Sequence, residues 1–188
     1  MWDNYKDSII ELVKIVVISA IIILPIRFFL IHPFIVKGIS MEETFSNNDY
    51  LIINRLEYRF DTPRRGDIIV FRSPLKPKDH LIKRVIGMPG DTVKIKDGYV
   101  YIYNEDFPNG KLLDESQYLA PNTLTYPEGE FEVREDYYFV LGDNRTASMD
   151  SRIFEDVSKE YIVGKVWLRG WPFDSAQTFD SILYPAGL

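Results

Sequence analysis

The 188-residue chain contains no cysteine, so it forms no disulfide, offers no thiolate to a metal and has no cysteine nucleophile. It has two histidines, His32 beside an apolar stretch and His80 in a polar segment. So little imidazole disfavours a Ser-His-Asp triad and a histidine-rich metal site, and the search for a base turns to lysine. Basic residues are in the minority, 22 Lys and Arg against 28 Asp and Glu, for a formal net charge of -6. That balance argues against nucleic acid as a partner, because neutralising phosphates takes a basic face. There is no internal repeat and no low-complexity tract. The length admits one globular domain with its own core beside a short extra segment, and argues against two soluble domains.

What is present, first, is one long apolar stretch. Within residues 9–31 only Glu11, Lys14, Ser19, Pro25 and Arg27 are not apolar. As a helix this measures about 34 Å, enough for a bilayer core. Its charge-free run, residues 15–26, covers only about 18 Å. Spanning therefore needs Glu11, Lys14 and Arg27 to snorkel towards the interfaces. The expectation is a retained transmembrane anchor over 9–31, with a buried or interfacial helix as the alternative. A cleaved signal peptide fits less well, since Asp3, Asp7 and Glu11 stand at the amino-terminal end and no small-x-small site follows. The flanking cations, Lys6 and Lys14 against Arg27 and Lys37, leave the orientation open.

After the anchor the pattern changes to short runs rich in β-branched and aromatic residues. Segments 50–53, 68–71, 81–86, 92–95, 131–133, 137–141 and 161–168 read as strands. Asp97-Gly98 between two such runs is a type I′ hairpin signal. A short helical turn is expected near residues 157–161. The fold class is therefore mainly β, one N-terminal helix followed by a largely antiparallel sheet domain over 32–188. Residues 103–129, with Pro108, Gly110, Pro121 and Pro127, exceed an ordinary loop and read as an inserted excursion, either a small β subdomain or a flap.

Three blocks carry possible chemistry. Gly38-Ile39-Ser40-Met41 follows the apolar stretch. Lys83 lies in Lys83-Arg84-Val85-Ile86-Gly87-Met88-Pro89-Gly90-Asp91. The third block is Gly142-Asp143-Asn144-Arg145, then Ser148, Asp150, Ser151 and Arg152. A serine hydroxyl becomes a good nucleophile when a neighbouring base takes its proton, and lysine does so only when neutral. Bringing a lysine from about 10.4 to about 8 requires roughly 3 kcal/mol of ammonium destabilisation, which burial supplies. Leu81, Ile82, Val85 and Ile86 are the apolar neighbours for this, and strand alternation turns Arg84 to the opposite face. The Ser40 amide is the natural oxyanion donor. Each block also has an ordinary reading: a solvated serine, a charged strand edge, a turn. Their joint occurrence after one apolar segment favours the enzymatic one.

At these residues the chain closely resembles the type I signal peptidases, membrane-bound serine proteases that remove signal peptides from exported proteins. The resemblance runs from the anchor to Trp171-Pro172-Phe173. It implies Ser40 as nucleophile and Lys83 as general base, with Ser148 hydrogen-bonding the lysine. Gly142, Asp143, Asp150 and Arg152 form the supporting network, Asp150 pairing with Arg152. It further implies that Phe34, Val36, Met41, Leu81 and Ile82 line pockets for small side chains at the first and third positions before the cleaved bond, as in an Ala-x-Ala site. No metal or organic cofactor is implied. The partners would be signal peptides of preproteins, the lipid bilayer and the vicinity of the secretion translocon. The location would be the plasma membrane, with residues 1–8 cytoplasmic and the catalytic domain outside the cytoplasm. Two departures from the family pattern stand out. Glu43 replaces the usual proline of Ser-Met-x-Pro-Thr, and Gly38 stands where some members carry a hydroxyl residue, as in the branch common in Gram-positive bacteria. A self-cleaving Ser-Lys protease of the repressor type is disfavoured by the anchor and by the lack of a DNA-binding unit. An inert tethered β domain is disfavoured by the presence of Ser40, Lys83 and Ser148 together.

Overall fold

The computed structural model describes residues 2–25, 31–182 and 184. The chain opens with helix α1 (Trp2–Pro25) and then turns to short strands. The first six are β1 (Ile31–Ile35), β2 (Tyr50–Asn54), β3 (Ile68–Arg72), β4 (His80–Gly87), β5 (Thr92–Lys96) and β6 (Tyr99–Tyr103). The next six are β7 (Lys111–Leu112), β8 (Gly129–Glu132), β9 (Tyr137–Leu141), β10 (Val157–Ser158), β11 (Ile162–Trp171) and β12 (Gln177–Thr178). Two one-turn helices, α2 (Glu57–Phe60) and α3 (Ser151–Phe154), punctuate them. The larger sheet runs β1-β2-β11-β3-β4-β9-β10 with β12 on β11, and the smaller runs β7-β6-β5-β8. Every pairing described is antiparallel.

The helix departs from the segment expected. It begins at Trp2, and Ile31, expected at the end of an anchor, belongs to β1; residues 26–30 of that anchor lie outside the described residues. Among the described residues no helix is long and apolar enough to cross a membrane. The physical reason is charge: α1 is 24 residues long, but Asp3, Lys6, Asp7, Glu11 and Lys14 leave only its last part, residues 15–25, uncharged, about 16 Å against a core of about 30 Å. Every branched apolar side chain from Ile9 to Leu24 is nevertheless exposed.

Strand β1 is not legible in the sequence because it contains Pro33, which has no N–H to give to a ladder. The structure accommodates it at the end of the sheet, where β1 pairs only with β2. The Asp97-Gly98 turn forms as expected, with φ of 53° and 81° and Lys96 opposite Tyr99. The helical turn expected near 157–161 is split into β10 and a 3-10 turn over Lys159–Tyr161. Within segment 103–129, β7 adds to β6, and Leu113 and Tyr118 enter the core of the smaller sheet.

Strand β4 binds the domain together. Ile86 packs in the core of the smaller sheet, while Ile82 and Val85 pack into two separate clusters on the larger sheet. Alternation along one strand thus feeds three apolar clusters, and the polar side chains of Lys83 and Arg84 among them are forced out of water. At the hairpin, Gly98→Ala should cost about 1 kcal/mol or more, because φ is positive there and the added Cβ meets Leu124 Cδ2 at 2.7 Å. Denaturant unfolding of the two proteins measures it.

Candidate active site

Lys83 stands opposite Ile69 in the β3–β4 ladder, with Leu81 and Val85 on the same side of the strand. Its side chain is 2% exposed. Nζ lies 2.7 Å from Ser40 Oγ and donates to the Ile82 carbonyl at 2.8 Å. Ser40 sits in the turn that follows β1, half-buried. Its carbonyl accepts from the Asn144 N–H at 3.1 Å, which ties that turn to the loop after β9. Three segments far apart in sequence therefore meet at one amine.

Burial lowers the Lys83 pKa from 10.5 to about 8, against the opposing pull of Asp150 and Asp143, with Arg152 adding to the lowering. A pKa depressed in the folded state means that the unfolded chain binds the extra proton between pH 8 and 10.5. Burying the amine thus costs about 3 kcal/mol of stability below pH 8, and that cost fades as pH rises towards 10.5. The fold carries this cost to keep an amine that is partly neutral near physiological pH.

The residues expected to support the pair divide into two networks. Asp150 accepts from the Gly142 N–H at 3.0 Å and from Arg152 Nε and Nη2 at 2.7 and 2.8 Å, and also caps α3. Burial pushes the Asp150 carboxyl up, but Arg152 and these hydrogen bonds hold it below the ordinary value, so it stays anionic. Asp143 belongs to a second network. It takes both Nε and Nη2 of Arg84 at 2.9 and 2.7 Å, and Thr44 Oγ1 donates to it at 2.5 Å. Ser148 differs from the expectation. Its Oγ is buried and makes no hydrogen bond of normal geometry, to Lys83 or to any other described group, though it lies close enough to Asp150 to help hold that carboxyl down. Gly142 is where the parts converge: a Cβ there would fall 2.4 Å from the Ser40 carbonyl oxygen and 2.2 Å from Ser148 Oγ.

Several participants escaped the sequence reading. Arg84 does turn away from Lys83, but it is no exposed strand edge. It is buried on the other face, donates to the Gly66 carbonyl and lies 4.0 Å over the Tyr118 ring. Arg145 donates to the Gly142 carbonyl at 2.9 Å and reaches Thr125 and Glu115 in segment 103–129. Arg152 touches the same segment at the Tyr126 carbonyl. The arginines are visible in their motifs, whereas Glu115 and Thr125 carry no local signal. Glu43 explains one departure from the family pattern, since its φ of 93° is out of reach of a proline ring fixed near -65°.

Of the residues expected to line substrate pockets, Phe34, Val36, Met41 and Ile82 share one apolar cluster with Phe45 and Val166. Leu81 does not; alternation turns it into the cluster of Phe71 and Tyr138. On β4, residues 80–83 pair with β3 on one side, while β9 covers the other side only from Arg84 onwards. Strand β1 has no partner on its outer edge among the described residues. The rings of Phe34 and His80, 6.3 Å apart, link these two open edges. No group of His, Asp or Glu among the described residues is arranged to hold a metal ion.

The Ser40 hydroxyl is thus held against a buried amine at the end of two strand edges that are open among the described residues. A sequence profile of the family described as signal peptidase, peptidase S26, matches residues 9–171. The chain is 41% identical to a probable signal peptidase I-2 of Synechocystis over 89% of this chain and 75% of that one. It is 38% identical to signal peptidase I P of Bacillus subtilis subsp. natto, over 90% and 92%. A crystal structure of a signal peptidase I from Enterococcus faecalis aligns with 34% identity over 56% of this chain and 97% of that one, at a TM-score of 0.46. The chain belongs to the signal peptidase family, peptidase S26, a family of serine endopeptidases.

Because Asp143 balances a buried guanidinium, Asp143→Ala should destabilise the domain by about 3–5 kcal/mol through the stranded Arg84 charge. A lower melting temperature of the variant, restored in part by adding Arg84→Met, checks this.

Proposed function

We propose that the protein is a membrane-bound signal peptidase that cuts exported preproteins after small residues, with Ser40 as nucleophile and Lys83 as general base. The observation that carries the reading is the 2.7 Å contact between Lys83 Nζ and Ser40 Oγ, made by an amine shut away from water. In its neutral form the amine accepts the Ser40 proton as Oγ attacks the carbonyl carbon of the scissile peptide bond. The negative oxygen that results is stabilised by the Ser40 N–H, which donates to no group among the described residues. The Gly38 N–H is already engaged by Asn47 Oδ1 at 3.0 Å. Lys83 then gives its proton to the leaving amine, which departs as the new amino terminus and leaves an acyl-serine. Water attacks that ester while Lys83 takes its proton, and the returning proton frees Ser40. No metal or cofactor enters this cycle.

The substrate enters extended, pairing with the open edges of β1 and β4. Phe34, Val36, Met41 and Ile82 form the apolar wall beside it, with Leu81 acting from the neighbouring face, and so filled a wall leaves room only for small side chains before the cut. Gly142 keeps the Ser40 carbonyl close, Asp150 and Arg152 fix the Gly142 amide, and Ser148 fills the space between them. The protein is attached to the plasma membrane, with its catalytic domain outside the cytoplasm near the translocon. Supporting this are the exposed apolar side chains of α1 and the exposed Trp167, Trp171 and Phe173 on and after β11.

The full-length protein in detergent should cleave a preprotein whose signal ends in Ala-x-Ala, and folded Ser40→Ala and Lys83→Ala variants should lose at least about a thousandfold in kcat/KM. Since only the neutral amine is a base, kcat/KM should rise tenfold per pH unit up to about 8 and level off above it. A flat profile, or activity left in both variants, would remove the pair from the reaction. Gly142→Ala should lower kcat by about 100-fold with KM little changed, because its Cβ displaces the Ser40 backbone.

A further inference from the structure

Upstream of Lys83, the open edge of β4 leads into a cleft of about 470 Å³. Phe34 and Val70 contribute to its apolar floor, and Arg55, Arg72 and His80 are its polar lining. No carboxylate among the described residues lines it, in a chain where acids outnumber bases. Arg72 and His80 stand directly opposite one another in the β3–β4 ladder, on the face that also carries Val70 and Ile82. Arg55 follows β2 directly, and all three side chains are exposed. Neither Arg55 nor Arg72 enters an ion pair among the described residues. Arg72 makes one hydrogen bond, at 3.2 Å to the Glu160 carbonyl, and lies 5.8 Å over the Tyr161 ring, so its charge is not neutralised.

We propose that this cleft is a subsite for an acidic side chain five residues before the cleaved bond. The inference rests on the Ser40–Lys83 peptidase reading. A strand advances about 3.3 Å per residue, so His80 lies about 10 Å from Lys83. A peptide paired with the open edge of β4, its reacting carbonyl at Ser40, brings its fourth residue level with His80; its fifth side chain, on the same face as its first and third, then reaches the two guanidinium groups. A carboxylate there meets charge-assisted donors above an apolar floor, where the attraction is less screened than in bulk water. A lipid phosphate would satisfy the same cations. The peptide is the better occupant because the cleft continues the edges that end at the reacting pair, and the Phe34–His80 contact joins its two sides.

The test uses the full-length protein in a neutral detergent and preprotein substrates with an Ala-x-Ala site carrying Asp, Asn or Lys at the fifth position before the cut. Asp should exceed Lys by about tenfold in kcat/KM at low salt, and the ratio should shrink at high salt. In Arg55→Glu/Arg72→Glu the order should reverse; both positions are exposed, and the ratio within one protein is independent of how much of it is active. Equal rates for the three substrates, or a ratio unaltered in the variant, would overturn the subsite while leaving the peptidase reading in place. Indifference to the substrate charge, with phosphatidylglycerol vesicles binding the parent and not the variant, would assign the cations to lipid instead and also overturn it. Failure of the parent to cleave any of the three would bring down the peptidase reading, and the subsite with it.

Discussion

The contact between the Lys83 amine and Ser40 Oγ is the constraint around which the rest of the domain is arranged. An ammonium group in water has no reason to act as a base near neutral pH, and making it one means removing its solvent. Here the solvent is removed by the strand itself: β4 lies in the interior of the larger sheet, and its residues alternate into apolar clusters on both faces. Stability is lost at one position, where the amine becomes easier to deprotonate, and the surrounding apolar packing makes the loss tolerable.

The same strand sets a second problem, because Arg84 follows Lys83 and is buried as well. The two cations receive opposite treatment. Arg84 is neutralised by a two-pronged contact with Asp143 and held over Tyr118, whereas Lys83 is given no carboxylate partner within hydrogen-bonding distance. Asp150 is near enough to act on the lysine through space, but its oxygens are taken up by Arg152 and the Gly142 amide. A direct ion pair would have raised the lysine pKa and kept the amine protonated. Pairing the arginines while leaving this lysine without a carboxylate is what separates a cation held charged from an amine whose pKa is lowered.

Segment 103–129 takes on a different meaning in this light. Its polar, proline-bearing sequence looks like an appendage, yet Glu115, Thr125 and the Tyr126 carbonyl hold Arg145 and Arg152, and Tyr118 backs Arg84. It acts as an outer layer that keeps the arginines of the third motif block in place. The open edges of β1 and β4 show the converse economy: where the larger sheet stops pairing, the chain leaves room for another strand.

The alternation of apolar residues, the Asp97-Gly98 turn and the three motif blocks are local properties; they determined most of the longer strands, the antiparallel class and the family, and they singled out Ser40 and Lys83. Periodicity reports which way a side chain faces, and it correctly sent Lys83 and Arg84 to opposite sides. It does not report what waits on each side. That Arg84 finds Asp143, that Leu81 leaves the apolar wall shared by Phe34 and Ile82, and that Glu115 holds Arg145 all depend on contacts between residues tens of positions apart. Strand β1 was hidden because its proline reads as a breaker until a sheet edge excuses the missing N–H. The lysine's altered basicity belongs to the same category: the sequence supplied the residue, and only tertiary burial, which removes water from a charge, decided its pKa.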